Sequence, residues 1–501
     1  MSHVIIIGSG FGGSIAAKRF AQAGHTVDLL ELGEDWRDPA KLQQSQDTKF
    51  ILKLFRDYPA DYLQQAMNNQ TDVVITQGMG LGGGSLVYSG IHLRAPASAF
   101  TGWPSGWTRA HLDPYYARVE TRLGVAPLPN ASSYNRFKVL QQGAAAAGLP
   151  APTVNPVAMT GCTKCGWCVP ICKWGKKNTM QHTYLADALA TGRVTVRTNT
   201  KAYYVARYGS RYRVVSWGTS GVTYNYHTVN SGSVSYLEGD IVVVAGGAIE
   251  SPVLLKRSLS VSLPSGYTRI SSFDTSKLGT GIDGTGDFIQ GGFVPQAVDG
   301  YKGAIMMGNI DMGDYVLEDV HAIPVGPAVK LESAFTGMTV NGKDKTWGLA
   351  YKQKFRNYGK NLLAIGIIGK QGSGTGGNIS VSDNGGNARV STTAYQPPAG
   401  SIAAARSIIT ALGGEVARTP WERWNVAATV HPTGGCGMGD ATTAPVQATN
   451  LQVRNNPGLY VIDGSVLPLS PLRNPANTIG AIAERAMDVI LGVTAPGTWP
   501  A

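Results

Sequence analysis

His431 is the side chain best suited by type to hold or relay a proton near neutral pH. It sits in Thr429-Val430-His431-Pro432-Thr433-Gly434-Gly435, a glycine-rich turn rather than an apolar face, which makes it a candidate for chemistry. Asn474 opens a second turn, Asn474-Pro475-Ala476-Asn477-Thr478. An amide cannot act as a base, but it can orient a hydroxyl. An Asx turn ahead of Pro475 is compatible with that role. A third reactive group is Cys162, Cys165, Cys168 and Cys172, spaced C-x2-C-x2-C-x3-C. This is the bacterial ferredoxin run, except that Lys173 replaces the proline. Three readings compete: an iron–sulfur cluster, a zinc site, or thiols and one or two disulfides stapling a loop.

These residues need a scaffold, and the first thirty positions announce one. Val4-Ile5-Ile6-Ile7 is a short apolar run that leads into Gly8-Ser9-Gly10-Phe11-Gly12-Gly13 and then a helix-compatible stretch. Thr26-Val27-Asp28-Leu29-Leu30 reads as a second strand and ends at Glu31, eighteen residues after Gly13. Strand, glycine turn, helix, strand and acid together form the dinucleotide-binding fingerprint. Gly8 permits the tight turn, Gly10 lets the backbone approach a pyrophosphate, and Gly13 lets helix and strand pack closely. Phe11 opens the helix whose free N–H groups face the phosphates. Glu31 is expected to accept the ribose hydroxyls.

The chain has 501 residues, enough for two or three core-forming units. Its net charge of +11 comes from scattered Lys and Arg without a long basic run, so nucleic-acid binding is not expected. No stretch approaches the length of a membrane span, and no secretory leader precedes the first strand, so the sequence as it stands is expected to be either cytoplasmic or a secreted form already trimmed.

Val73-Val74-Ile75-Thr76-Gln77 reads as a strand running into Gly78-Met79-Gly80-Leu81-Gly82-Gly83-Gly84-Ser85-Leu86-Val87-Tyr88. A chain so bare of side chains can lie flat on a large planar ligand, with Gly80, Gly82, Gly83, Gly84 and Ser85 offering main-chain donors. The polar stretch 36–70 is expected to cover the adenosine half of the ligand or form a lid. A helix is expected to start near Pro114. Residues 193–244 alternate as a meander, and Val205 within it is read as a cofactor-side position. Ile241-Val242-Val243-Val244 is a buried strand that turns through Ala245-Gly246-Gly247 into a helix. Residues 290–425 read as mostly antiparallel sheet with covering helices.

GSGFGG at the N-terminus, GLGGGSLVYSG, LDPYYARVE, HPTGG, YVIDGS and NPANT in this order resemble the glucose–methanol–choline (GMC) oxidoreductases, most of all the cholesterol-oxidase-like branch. The resemblance implies an α/β (α+β) protein. A Rossmann-like FAD-binding domain with a β-meander is joined to a substrate domain on a mostly antiparallel sheet covered by helices. The expected division is 1–125 and 191–288 for the FAD domain, 126–190 for a cysteine-containing insert, 289–425 for the substrate domain and 426–501 for a closing segment. The dinucleotide is then FAD, with Gly246, Asp463, Gly464 and Pro475 added to its site. Val87 stands where some members carry a linking histidine, so non-covalent FAD is expected and His92 is not a linkage site. His431 and Asn474 match the catalytic positions. Aligned without gaps, the glutamate proposed as base in cholesterol oxidases falls on Asp319, with Glu318 beside it. The resemblance favours a scaffold role for the four cysteines, with no metal.

The function implied is FAD-dependent oxidation of an alcohol to a carbonyl, on a sterol-like or other hydrophobic secondary alcohol. O2 or another acceptor would take the electrons, and the protein would be a monomer or small homo-oligomer. A sugar, amino-sugar or primary-alcohol substrate is the alternative within the family. An electron-transfer flavoprotein using the cysteines is the alternative outside it.

Overall fold

The opening strand β1 (His3–Ile7) is buried from Val4 to Ile7, as a parallel strand covered on both faces must be. The computed structural model describes residues 1–44, 55–59, 72–169, 171–219, 234–322, 339–340, 343–344, 349–371, 379–384, 387–392, 395–417 and 426–493. After the glycine turn come helix α1 (Phe11–Gln22) and strand β2 (Thr26–Leu30). In the parallel sheet Val4 lies opposite Val27 of β2 and opposite Ile241 of β3 (Ile241–Val244). Val194–Arg197 adds to the far side of β2 and Leu459–Val461 to the far side of β3, completing five strands. The edge strand Leu459–Val461 thus comes from near the C-terminus, although β1 at the centre starts the chain.

Helix α2 (Gly247–Ser260) leaves β3 through the Gly246–Gly247 turn. Val234–Gly239, Arg211–Gly218, Thr200–Tyr208 and Thr268–Arg269 form the antiparallel meander. A third, six-stranded sheet carries β4 (Tyr315–Val320) and β5 (Leu362–Gly369) at its centre, with every pairing antiparallel. All of β5 is buried, which explains its unbroken apolar sequence LLAIGIIG. The mixed α/β class follows the sequence expectation, including the antiparallel character of the substrate region.

Helix α3 (Ala476–Ile490) closes the chain against α1 and against the helix Arg109–Leu123. Glu484 and Asp488 of α3, both buried, receive Arg19 of α1 and Arg118 of the neighbouring helix. Arg118 bonds Asp488 Oδ1 at 3.0 Å. Burying two carboxylates is costly unless charged donors accompany them, and here both arginines do. The helix expected near Pro114 starts at Arg109, because Thr108 caps it by accepting from the His111 N–H, and Pro114 lies inside. Most of the stretch 36–70 lies outside the described residues.

The tightest packing is at the first turn. A Cβ on Gly13 would stand 2.0 Å from Gly8 O, far inside contact distance and against main chain that cannot step aside. Gly13→Ala is therefore expected to lower the melting temperature and the flavin-to-protein absorbance ratio together. An unchanged ratio in a normally folded variant would contradict the packing role.

Candidate active site

A deep cleft runs from the first glycine turn to His431 and encloses about 1570 Å³ of space, its open mouth included. One end is walled by Gly8, Ser9, Gly10 and Phe11 with Glu31, and the other by His431, Asn474, Pro475 and Ile479. Gly83, Gly84, Gly246, Asp463 and Gly464 line it between. Two helices, α1 and α2, start at its wall. No acidic side chain stands in the first turn of α1, so its N–H groups and dipole are open to an anion. At Gly10 and Gly84 an added Cβ would meet no atom within 4 Å, because both positions present bare main chain to the cleft. Such a cradle fits the pyrophosphate and ring of a flavin dinucleotide.

Several expected cofactor residues serve as wall rather than lining. Gly13 packs helix on strand. Gly80 donates its N–H to Glu31 Oε1 at 3.3 Å, and Gly82 donates to Ser9 Oγ at 2.9 Å. Ser85 Oγ donates to Gly82 O at 2.7 Å and accepts from Met180 N at 2.9 Å, so it ties the glycine loop behind the cleft. Val205 is a correction: its side chain is buried and its N–H donates to Ser258 Oγ of α2. The same strand reaches the cleft only at its start, through Thr200, Lys201 and Ala202. Glu31 lines the cleft, but its oxygens already accept from Ser9 N and Oγ, Gly33 N and Gly80 N. It knits three turns together, and burial raises its pKa against those donors. Asp463 likewise accepts from Gly247 N at 2.8 Å and Ser251 Oγ at 2.5 Å, so it caps α2.

His431 follows the strand Val426–Thr429, which pairs in parallel with Asp72–Gly78 below the glycine loop. Its Nδ1 lies 2.9 Å from the Asp287 carboxylate. A carboxylate only accepts, so Nδ1 carries the proton and Nε2 is left with its lone pair. Asp287 also accepts from Val430 N, Thr429 Oγ1 and Thr285 Oγ1, which fix it in place. Burial works to lower the His431 pKa, but Asp287, with a contribution from Glu318, raises it overall. Asp287 was not legible in the sequence: it lies 144 positions from its partner and in no motif.

The expected carboxylate at Asp319 is corrected by one residue. Side chains alternate across a strand, so Glu318 and Asp319 of β4 point to opposite faces. Asp319 faces Arg136, whose Nε donates to Oδ2 at 2.6 Å, and its Oδ1 accepts from Met307 N and Gly308 N. Both partners are fully buried. Glu318 faces the cleft residues instead, with Oε2 3.5 Å from Asn474 Nδ2. Burial pushes its carboxyl up to about 7, and the neighbouring Asn474 and His431 oppose that shift. Glu318 Oε1 and Asn474 Oδ1 are buried without a hydrogen-bond partner in the structure. A buried polar pair left unsatisfied beside a titratable histidine is the mark of a site waiting for a hydroxyl.

His92 is buried behind Tyr88 and its pKa is lowered to about 4 by burial, so it is a neutral packing residue. Cys162, Cys165, Cys168, Cys172 and Cys436 are unpaired in the structure.

Residues 2–260 and 404–483 match the N- and C-terminal family models described as GMC oxidoreductase. The chain belongs to the GMC oxidoreductase family. Members of this family bind FAD and act on CH–OH groups, so this GMC oxidoreductase is an FAD-dependent enzyme. It is 24% identical to a cholesterol oxidase of Mycobacterium tuberculosis, over 96% of this chain and 90% of the relative. A cholesterol oxidase of Acinetobacter baumannii is 25% identical, over 97% of this chain and 94% of the relative. Among solved structures, pyridoxine 4-oxidase from Mesorbium loti aligns with a TM-score of 0.65 at 17% identity, covering 97% of this chain and 98% of that one. Formate oxidase of Aspergillus oryzae gives 0.67 at 15% identity, covering 98% of this chain and 99% of that one, so the fold is shared.

The two acids of β4 separate stability from turnover. Asp319→Ala strands Arg136 and is expected to cost about 3–5 kcal/mol in denaturant unfolding. Glu318→Gln is expected to keep the melting temperature while kcat falls; the reverse pattern would return the catalytic role to Asp319. Asp287→Asn removes the charge that raises the His431 pKa. The acid limb of kcat/KM, which climbs as His431 loses its proton, should move to lower pH and kcat should fall at least tenfold.

Proposed function

We propose that this GMC oxidoreductase oxidises a hydrophobic secondary alcohol, of the 3β-hydroxysteroid kind, to the ketone. The observation that carries the reading is the convergence of His431, Asn474 and Glu318 at one end of the cleft. FAD, bound without a covalent link, supplies the hydride acceptor there; Val87 offers no linking nucleophile at the expected position.

The substrate hydroxyl points its single proton at His431 Nε2, and its oxygen accepts from the second Nδ2 hydrogen of Asn474, which orients it. His431 Nε2 takes the hydroxyl proton, and Asp287 stabilises the imidazolium that results. Burial pushes the Glu318 carboxyl behind Asn474 up to about 7, so at working pH it can accept a proton and is then neutral. Ile479, close to Gly464 beside Pro432, adds an apolar surface to the cleft at this end. Support for the substrate class comes from the two cholesterol oxidases. A long-chain-alcohol oxidase of Arabidopsis thaliana, 23% identical over 96% of this chain and 66% of the relative, keeps long-chain alcohols in the comparison.

Anaerobic mixing with a panel of sterols, long-chain alcohols and sugars should bleach the flavin with a sterol first, and readmitted air should restore the colour. Bleaching by the long-chain or sugar alcohols alone would remove the sterol. His431→Gln should slow bleaching by about 10²–10⁴-fold while flavin content stays constant.

A further inference from the structure

We infer that Arg473 is a positioning residue: with Ser470 it holds Leu472 in a left-handed backbone conformation and stitches the turn ahead of α3 to the substrate sheet, which fixes where the Asn474 amide stands.

Leu472 has φ +59°. In that region the Cβ of an L residue crowds a carbonyl oxygen, so glycine or asparagine is the usual occupant. A leucine stays there only where its surroundings over-determine it, and such residues gather at functional sites. Two side chains hold it here. Ser470 Oγ accepts from the Leu472 N–H at 3.2 Å, and Arg473 Nη1 donates to the Leu472 carbonyl oxygen at 2.7 Å. Both main-chain polar groups of the strained residue are thus fixed by its near neighbours. Ser470, Leu472 and Arg473 are all buried.

The same two side chains reach across to the substrate sheet. Ser470 Oγ donates to Gly369 O, at the end of β5, at 2.8 Å. Arg473 Nη1 donates to Gly313 O at 3.0 Å, and Nη2 to Asp311 Oδ1 at 2.7 Å. Asp311 ends the strand Gly308–Asp311, which pairs with β4, and its Oδ1 also accepts from Gly313 N. The arginine therefore grips the turn that leads into β4. Asn474, next in the chain, directs Nδ2 toward Glu318 of β4 at 3.5 Å. One short loop meets one sheet at three places, through Ser470, Arg473 and Asn474.

The ion pair suits geometry better than stability. The Arg473 side chain is 3% exposed, whereas that of Asp311 is 59% exposed. Desolvating the cation is only partly offset by so open a carboxylate, but the planar fork aims its donors in fixed directions. Position is what the chemistry asks of this loop. Asn474 stands ahead of α3 and Glu318 belongs to the substrate sheet, so the distance between them depends on how loop and sheet are joined. A shift of about 1 Å from a change remote from the chemistry can slow a reaction about a hundredfold.

The role rests on the reading that Asn474 orients the hydroxyl, but the turn itself is read without substrate. Arg473→Met keeps most of the side-chain length and removes every donor. Crystals of the holoenzyme and of this variant report the Leu472 φ and the Asn474–Glu318 separation. Anaerobic stopped-flow bleaching over a range of alcohol concentrations reports the limiting rate and the half-saturating concentration separately. Leu472 is expected to leave the left-handed region while FAD content stays constant. The limiting rate should fall at least about tenfold, and half-saturation should move less than about threefold. Arg473→Lys, which keeps the charge but not the fork, should recover part of the rate. Leu472→Gly added to Arg473→Met should recover most of it at a lower melting temperature, because glycine takes the left-handed conformation without being held. On an Asn474→Ala background Arg473→Met should add little further loss, since the one acts through the other. An unmoved turn, fully additive losses, or a raised half-saturating concentration at an unchanged limiting rate overturns the positioning role. Should Arg473→Met fail to fold, Ser470→Ala removes one bond on each side of the turn; a smaller fall in limiting rate supports the role and an unchanged rate overturns it. Failure of the wild type to bleach with any alcohol, with the turn displaced in the variant crystal, overturns the alcohol reading and leaves the positioning standing.

Discussion

Main chain touches main chain at the floor of the cleft, and the rest of the molecule is arranged to allow it. A Cβ on Gly8 would stand 2.3 Å from Ala245 O, one on Gly12 1.7 Å from Ile462 O, and one on Gly83 2.7 Å from Gly10 Cα. Four separate stretches of chain therefore meet without side chains between them. Only this approach lets two helix starts and a bare loop face one ligand. The buried charges nearby, Glu31 and Asp463, hold the approach together by accepting from turns that belong to different stretches.

The catalytic end follows a different logic. There the main chain stands back and three side chains from three elements converge: His431 after an edge strand, Glu318 from the substrate sheet, and Asn474 ahead of α3. Each is useful because of something behind it. Asp287 sets the tautomer and charge of His431, Asn474 turns its amide toward Glu318, and the antiparallel pairing of β4 with β5 fixes which acid of β4 looks inward.

What could be read from the sequence was whatever is local. The first turn, its helix and Glu31 are one continuous signal, and His431 and Asn474 lie in short motifs of their own. Asp319 was misassigned because an ungapped comparison cannot see a one-residue shift, and in a strand one residue is the difference between two faces. Asp287 and Arg136 were invisible because their partners are distant in the chain. Val205 looked like a cofactor position because a meander strand touches the cleft only at one end. The cysteine spacing was plain, but spacing alone does not say whether sulfurs face each other or a metal.

The order in which the ribosome delivers these parts has a consequence. The edge strand Leu459–Val461, the α2 cap at Asp463 and helix α3 with its arginine-bound acids all come last. A nascent chain holding β1, α1 and β2 has the cofactor's phosphate turn but neither its lid nor its lock. The complete flavin wall therefore draws on both ends of the chain, from Gly8 to Ile479.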